Sequence, residues 1–257
     1  MKDSCLLHKN QISTTKQQQQ KIMKLTVHHL DHSQSFRVVW LLEELKSLGV
    51  DVEHDLKLYK RNPHDLMAPE EFKALSPLGT APTITTDTGL VMNESNAIIE
   101  YILDLAGEET LRPPASSPDR ASFLFWFHAV QGTMQPVLTV DFVFRHSVKK
   151  TPWPISSIVK MVGSKVREAL VLPRLAKLFQ HAEQQLSQKD HLYLAGKQFT
   201  AADISAVYPF VSAFSRYPEY AKTYPNTKAW MDRVLNRPAY KAAQSKVGEE
   251  DGTVLEA

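Results

Sequence analysis

One cysteine in 257 residues is the first limit that this chain sets on its own chemistry. It is Cys5, so no disulfide can form within the chain, no Cys-x-x-Cys redox pair exists, and no zinc can be held by a set of thiolates. A nucleophilic cysteine at the start of any later element is excluded as well. The formal charge is only +2, with Lys and Arg scattered, so no basic stripe for nucleic acid is present. No apolar run approaches the length of a membrane span. A charged region followed by an apolar core and a cleavage site is missing, as is an Arg-rich amphipathic transit segment. These absences lead to the expectation of a cytoplasmic protein, and the apolar content is enough for a core that needs no staples.

The N-terminal 22 residues hold a Gln17 to Gln20 run and scattered lysines without apolar periodicity, which reads as a disordered leader, with Met23 as a second plausible start. From there an apolar-polar strand, Leu25 to His28, precedes a helix carrying Val38, Val39, Leu41, Leu42 and Leu45, and a second strand lies near Val52 to Tyr59. Thr83 to Thr86 and Leu90 to Met92 flank the turn Asp87-Thr88-Gly89, and a helix with Ile98, Ile99, Ile102 and Leu105 follows. The order β-α-β then β-β-α is that of a thioredoxin-like domain, placed at 23–107. Residues 108–118, rich in Pro and Ser, read as a linker. Beyond it only helical patterns occur, so 119–246 forms an all-helical domain, and 247–257 is an acidic, mobile tail. The fold class is therefore α/β plus all-α. Ser117 and Pro118 are expected to open a helix that Pro136 bends, and a helix from about Ser157 to Leu186 is interrupted near Pro173. At Thr200 and Asp203 the spacing is that of a reciprocal cap, with Phe199 and Ile204 able to staple the same turn.

Two segments carry the chemistry. In Ser76-Pro77-Leu78-Gly79-Thr80-Ala81-Pro82-Thr83, Pro82 at a strand start cannot join a ladder, so the N–H and C=O of Ala81 are left for an extended ligand, best presented across a cis bond. In Asn93-Glu94-Ser95-Asn96, Ser95 lies at the positive end of a helix, where a carboxylate is welcome, and Glu94 can accept from an ammonium. Together they suit the zwitterionic end of an amino acid, although each alone is also an ordinary turn or cap.

His29-Leu30-Asp31-His32-Ser33-Gln34-Ser35-Phe36-Arg37, the Pro82 turn, Glu94-Ser95 and Phe199-Thr200-Ala201-Ala202-Asp203 together resemble the glutathione transferases of the fungal Gtt type and their bacterial relatives, over roughly Lys24 to Lys246. Trp153-Pro154-Ile155-Ser156 resembles the fungal branch too. The resemblance implies conjugation of glutathione to small hydrophobic electrophiles, with peroxidase side activity, roles in detoxification and stress response, and no other cofactor. It also implies a homodimer and, in one branch, peripheral association with endomembrane. By resemblance Ser33 hydrogen-bonds the glutathione sulfur, with Ser35 as the alternative, whose other role is a helix cap. A free thiol has a pKa near ~8.5, so lowering it by about two units takes roughly 2.7 kcal/mol of selective stabilisation, within reach of a hydroxyl donor and a helix end. Glutathione is expected on Ala81, Pro82, Glu94, Ser95 and Thr80. Thr80 stands where many relatives have a long basic or amide side chain, so Lys60, Arg61 or Lys73 is left to reach the glycyl carboxylate.

Trp126, Phe127, Val130 and Met134, spaced along one helix after Phe123, are the candidate walls of the electrophile pocket, against the plainer reading of a core stripe. No metal site is expected, because strand alternation sends His28 and His29 to opposite faces. Arg37 is read as a structural partner of carboxylates or carbonyls. A transferase-like binding or regulatory module without turnover is the alternative reading, because fold does not settle function.

Overall fold

The computed structural model describes residues 24–107 and 109–248. Cys5, the leader with Met23, and residues 249–257 of the tail lie outside the described residues. Four strands, β1 (Leu25–Leu30), β2 (His54–Tyr59), β3 (Thr83–Thr86) and β4 (Val91–Asn93), form one sheet in the order β2-β1-β3-β4. β1 runs parallel to β2, with Val27 opposite Leu56, and antiparallel to β3, with Val27 opposite Ile84. As an inner strand covered on both faces, β1 is buried along nearly its whole length, whereas β2 at the edge leaves Asp55, Lys57 and Leu58 exposed. Helix α1 (Phe36–Ser47), the short α2 (Glu70–Lys73) and α3 (Ser95–Ala106) complete this half of the chain. His28 and His29 do point to opposite sides. His28 pairs with the Tyr59 hydroxyl and Thr85 Oγ1, both at 3.0 Å, while His29 turns to the β1–α1 loop.

From Arg120 onward the described residues hold helices, joined by turns: α4 (Arg120–Ala129), α5 (Gln135–Lys150), α6 (Ile155–Val166), α7 (Leu172–Leu186), α8 (Ala201–Arg216), α9 (Tyr220–Thr223), α10 (Pro225–Leu235) and α11 (Pro238–Val247). α4 starts two residues later than the Ser117-Pro118 signal, after a turn in which Ser117 C=O accepts the Arg120 N–H. The two prolines expected to bend helices share one solution. A widened π turn, Val130–Met134 before Pro136 and Arg167–Val171 before Pro173, precedes each, so that each proline falls in the first turn of the next α-helix, where no N–H is needed.

The reciprocal cap at α8 is formed and buried. Asp203 accepts the Thr200 N–H (2.9 Å), and its other oxygen takes the Leu194 N–H (3.0 Å) and the Trp230 indole N–H (2.8 Å). The two halves of the chain meet through α1, which packs on α8 and α11. Buried Glu44 on α1 takes two hydrogen bonds of 2.6 Å from Arg237, whose guanidinium lies 3.7 Å over the Phe199 ring, and another of 2.9 Å from Trp40. Asn96 on α3 bridges Phe127 C=O on α4 and Ser205 on α8.

Candidate active site

The short β1–α1 loop must turn the chain from strand to helix, and buried hydroxyls hold it. Ser33 Oγ donates to Leu30 C=O (2.7 Å) and lies 2.6 Å from Ser35 Oγ. Ser35 Oγ accepts the Leu30 N–H (3.1 Å) and sits 2.9 Å from His29 Nδ1. Ser33 lines a cavity of about 400 Å³, whereas Ser35 is fully buried behind it. Ser35 stands at the N-cap position of α1 but makes no side-chain bond to the helix, which corrects its expected role as a cap: its oxygen is used on the strand and on His29 instead.

The cavity lies between the halves of the chain. One wall comes from the β1–α1 loop, the connection containing Arg61 and Lys73, and the Gly79-Thr80-Ala81 turn. The Ala81-Pro82 bond is cis. The β1–β3 ladder ends at the pair Thr83–His28, which leaves Ala81 beyond it at the cavity edge. The opposite wall comes from Leu138 and Phe142 on α5 and from Tyr208, Ser212 and Arg216 on α8, each set at i, i+4 spacing along one helix face. Among the described residues Arg61, Lys73 and Arg216 line the cavity and no carboxylate does, although Lys73 is paired with Glu70 (2.7 Å) and Arg216 stands 3.8 Å from Asp141, so its field favours an anion. Arg61 is fixed by the C=O of Asp31 (3.0 Å) and of Leu66 (2.9 Å), and Arg216 by the C=O of Leu138 (2.8 Å). Burial lowers the Arg216 pKa.

Pro82 is buried behind Ala81, and Glu94 and Ser95 do not reach the cavity surface in this structure. Ser95 opens α3, buried, and donates to Gln34 Oε1 (3.3 Å). Glu94 precedes it, exposed, at φ 73°, an uncommon conformation for a residue with a side chain. Gln34, which lines the cavity, is the residue that the sequence reading missed. Its Oε1 also accepts from Gln131 Nε2 (2.9 Å) and Arg37 Nη1 (2.8 Å), tying the loop to α3, α1 and the helical half. Its one signal was its place directly after Ser33. Arg37 is fully buried with an amide carbonyl for partner, and its Nε and Nη2 have none among the described residues. Burial pushes its pKa down to about 9, with Tyr208, whose ring lies 5.5 Å away, acting the other way.

The expected electrophile wall is corrected. Trp126, Phe127, Val130 and Met134 are all fully buried, and none lines the cavity. They face inward toward α7 and α8, Trp126 against Phe210 and with its indole N–H bonded to Gln185. From the helix after the π turn, Leu138 and Phe142 are the apolar side chains at the cavity, and Leu30, Met67 and Ala68 add apolar surface from the other wall.

Residues 33–105 match the glutathione S-transferase N-terminal domain and residues 152–238 the C-terminal domain of the same family. Glutathione S-transferase 3 of Schizosaccharomyces pombe is 32% identical over 90% of this chain and 90% of its own length. Glutathione S-transferase 1 of Saccharomyces cerevisiae is 29% identical over 86% of this chain and 94% of its own. Among solved structures, a glutathione S-transferase from Actinobacillus pleuropneumoniae is 27% identical, with a TM-score of 0.64, covering 88% of this chain and 93% of that one. The chain belongs to the glutathione S-transferase family, with a thioredoxin-like N-terminal half, a helical C-terminal half and glutathione as the family's co-substrate.

Proposed function

We propose that this protein conjugates glutathione to small apolar electrophiles, with Ser33 as the donor to the thiolate. The observation that carries this reading is the carboxylate-free cavity, in which the Ser33 hydroxyl, the Ala81 edge and the cations Arg61 and Lys73 share one wall and Leu138 and Phe142 lie opposite. The cysteinyl unit pairs with the Ala81 backbone across the Pro82 turn, with Thr80 beside it. The γ-glutamyl end reaches toward Glu94 and Ser95 past Gln34, and the glycyl carboxylate toward Arg61 and Lys73. This places the sulfur at Ser33. The thiol proton leaves to solvent, and the hydroxyl turns its hydrogen from Leu30 C=O to the sulfur, a charge-assisted bond that lowers the thiol pKa. The thiolate then attacks the electrophile on the α5–α8 side. With an activated haloaromatic, the C–S bond forms and halide leaves, and holding the two reactants together supplies much of the rate. Peroxidase side activity would use the same thiolate on a hydroperoxide: the sulfur takes the terminal oxygen, the O–O bond breaks and the alcohol leaves, and a second glutathione then reduces the sulfenic acid to glutathione disulfide and water. A cytoplasmic homodimer serving detoxification and stress response belongs to this reading, as in the resemblance from which it is drawn.

The test is turnover of glutathione with an activated haloaromatic by the purified protein and by Ser33→Ala. Loss on substitution should be larger at about pH 6.5 than at about pH 9, where solvent already ionises the thiol, while glutathione affinity changes less. No turnover above the uncatalysed rate with several electrophiles would favour the non-catalytic module instead.

A further inference from the structure

Behind Ser33 lies a set of buried hydrogen bonds that the reading above leaves unused. Ser33 Oγ is 2.6 Å from Ser35 Oγ, which is 2.9 Å from Nδ1 of His29, and none of the three residues is more than 6% exposed. Each hydroxyl has one hydrogen and two lone pairs, so the hydrogens can be counted. Ser33 Oγ already accepts the Ser35 N–H (3.2 Å), and Ser35 Oγ already accepts the Leu30 N–H (3.1 Å) and also lies 3.2 Å from Leu30 C=O, a longer contact for its hydrogen than the one to Ser33. If Ser33 gives its hydrogen to a thiolate, the 2.6 Å contact between the two oxygens needs a hydrogen from Ser35. Ser35 then has none left for His29, so Nδ1 must carry the proton and donate. In that arrangement both hydroxyls use one hydrogen and two lone pairs each. With the other tautomer, Ser35 would donate to Nδ1 and two oxygens would face each other with no hydrogen between them.

We propose that His29 and Ser35 are positioning residues for the thiolate: His29 Nδ1–H fixes the Ser35 hydroxyl, which fixes the Ser33 hydroxyl with its hydrogen toward the sulfur. The inference rests on Ser33 as the thiolate donor. No proton is transferred along the chain; each group stays bonded to its own hydrogen, and the sulfur's proton leaves to solvent. The set polarises Ser33 and removes the alternative in which its hydrogen is spent on Ser35, so a larger share of hydroxyls is ready for the anion. Other titratable groups face the same anion: His32, Arg61, Lys73, Tyr208 and Arg216 at the cavity and Arg37 behind Ser33. All six stay in place in the variants below, so that a shift there belongs to the hydrogen-bond chain.

Asn and Gln at position 29 separate this role from packing, because an Asn amide N–H superposes on Nδ1 of histidine and a Gln amide N–H on Nε2. The measurement is the ultraviolet absorbance of the bound thiolate across pH, with thermal unfolding of each variant alongside. His29→Gln and Ser35→Ala are each expected to raise the bound thiol pKa by about half a unit to one unit, cutting the thiolate fraction well below that pKa by about three- to tenfold, while His29→Asn stays near the parent. Comparable melting temperatures for the Asn and Gln variants would assign the difference to the hydrogen bond. An unshifted pKa in His29→Gln, or equal shifts in Asn and Gln, overturns the proposal. An unshifted pKa in Ser33→Ala instead overturns the donor assignment on which it rests.

Discussion

Arg61 and Lys73 reach the cavity while Lys60, one residue away from Arg61, stays on the exposed edge of the sheet. Both residues follow the end of β2 at Tyr59, so the loop's own contacts decide which of them turns to the cavity. Arg61 is then held by its backbone N–H on the Asp31 carboxylate (2.7 Å) and its side chain on backbone carbonyls, which leaves a fixed cation at the cavity. Arg61→Gln should raise KM for glutathione about tenfold with kcat nearly unchanged, and Lys60→Gln should change neither; steady-state kinetics at varied glutathione checks both. His28 offers a pH prediction at the same scale. Burial, with Lys57 adding to it, pushes its pKa from 6.5 down to about 4. The unfolded chain therefore takes up a proton from about pH 6.5 downward while the folded chain resists until about 4, so stability falls as pH drops through that window. Melting temperatures measured across it should fall less steeply for His28→Gln than for the parent.

Among the elements, α8 does two jobs with two faces. Its start is pinned by Asp203, and three residues further along its length, Tyr208, Ser212 and Arg216, wall the cavity. Removal of the Asp203 carboxylate would leave the buried Leu194 N–H and Trp230 indole N–H without acceptors, along with the cap itself. Asp203→Ala should cost about 3–5 kcal/mol, and Thr200→Ala, which loses only its part of the cap, about 1 kcal/mol. Urea denaturation of both variants measures the difference, and near-equal losses would refute the buried network as the source. The cap was readable from Thr200 and Asp203 because it is local. The network was not, since Leu194 and Trp230 come from elsewhere in the chain.

For the whole molecule, the cavity exists only because two differently built halves are held at a fixed spacing. The contact between them includes Glu44, buried on α1, and Arg237 just before α11, paired at 2.6 Å. An ion pair in that setting is costly to break from one side, because the remaining charge keeps its burial and loses its partner. Glu44→Gln should lower stability by about 3 kcal/mol and weaken glutathione conjugation through a looser cavity. Lys24→Ala, which breaks an exposed, solvent-screened pair with Asp55, should leave stability nearly unchanged. Denaturation curves for the two variants decide whether the interdomain pair has the larger effect.

The sequence by itself determined what is local or periodic. Alternation placed β1 and β3, helical spacing placed α1 and α3, Pro82 marked the turn beyond the ladder, and Thr200 with Asp203 marked the start of α8. Ala81 came from the Pro82 turn, and Ser33, with Ser35 as the alternative, from the resemblance to glutathione transferases; Ala81 and Ser33 line the cavity. Tertiary structure alone decided which apolar stripe is core and which is wall, because Phe123 to Met134 and Leu138 to Phe142 follow the same helical period and differ only in what packs against them. It decided too that Ser35 serves the strand and His29 rather than its helix, since a hydroxyl at a helix start takes whichever partner the fold brings within 3 Å or so of it. Gln34 gained its place from Ser95, Arg37 and Gln131, three donors on three different elements that only folding brings to one oxygen.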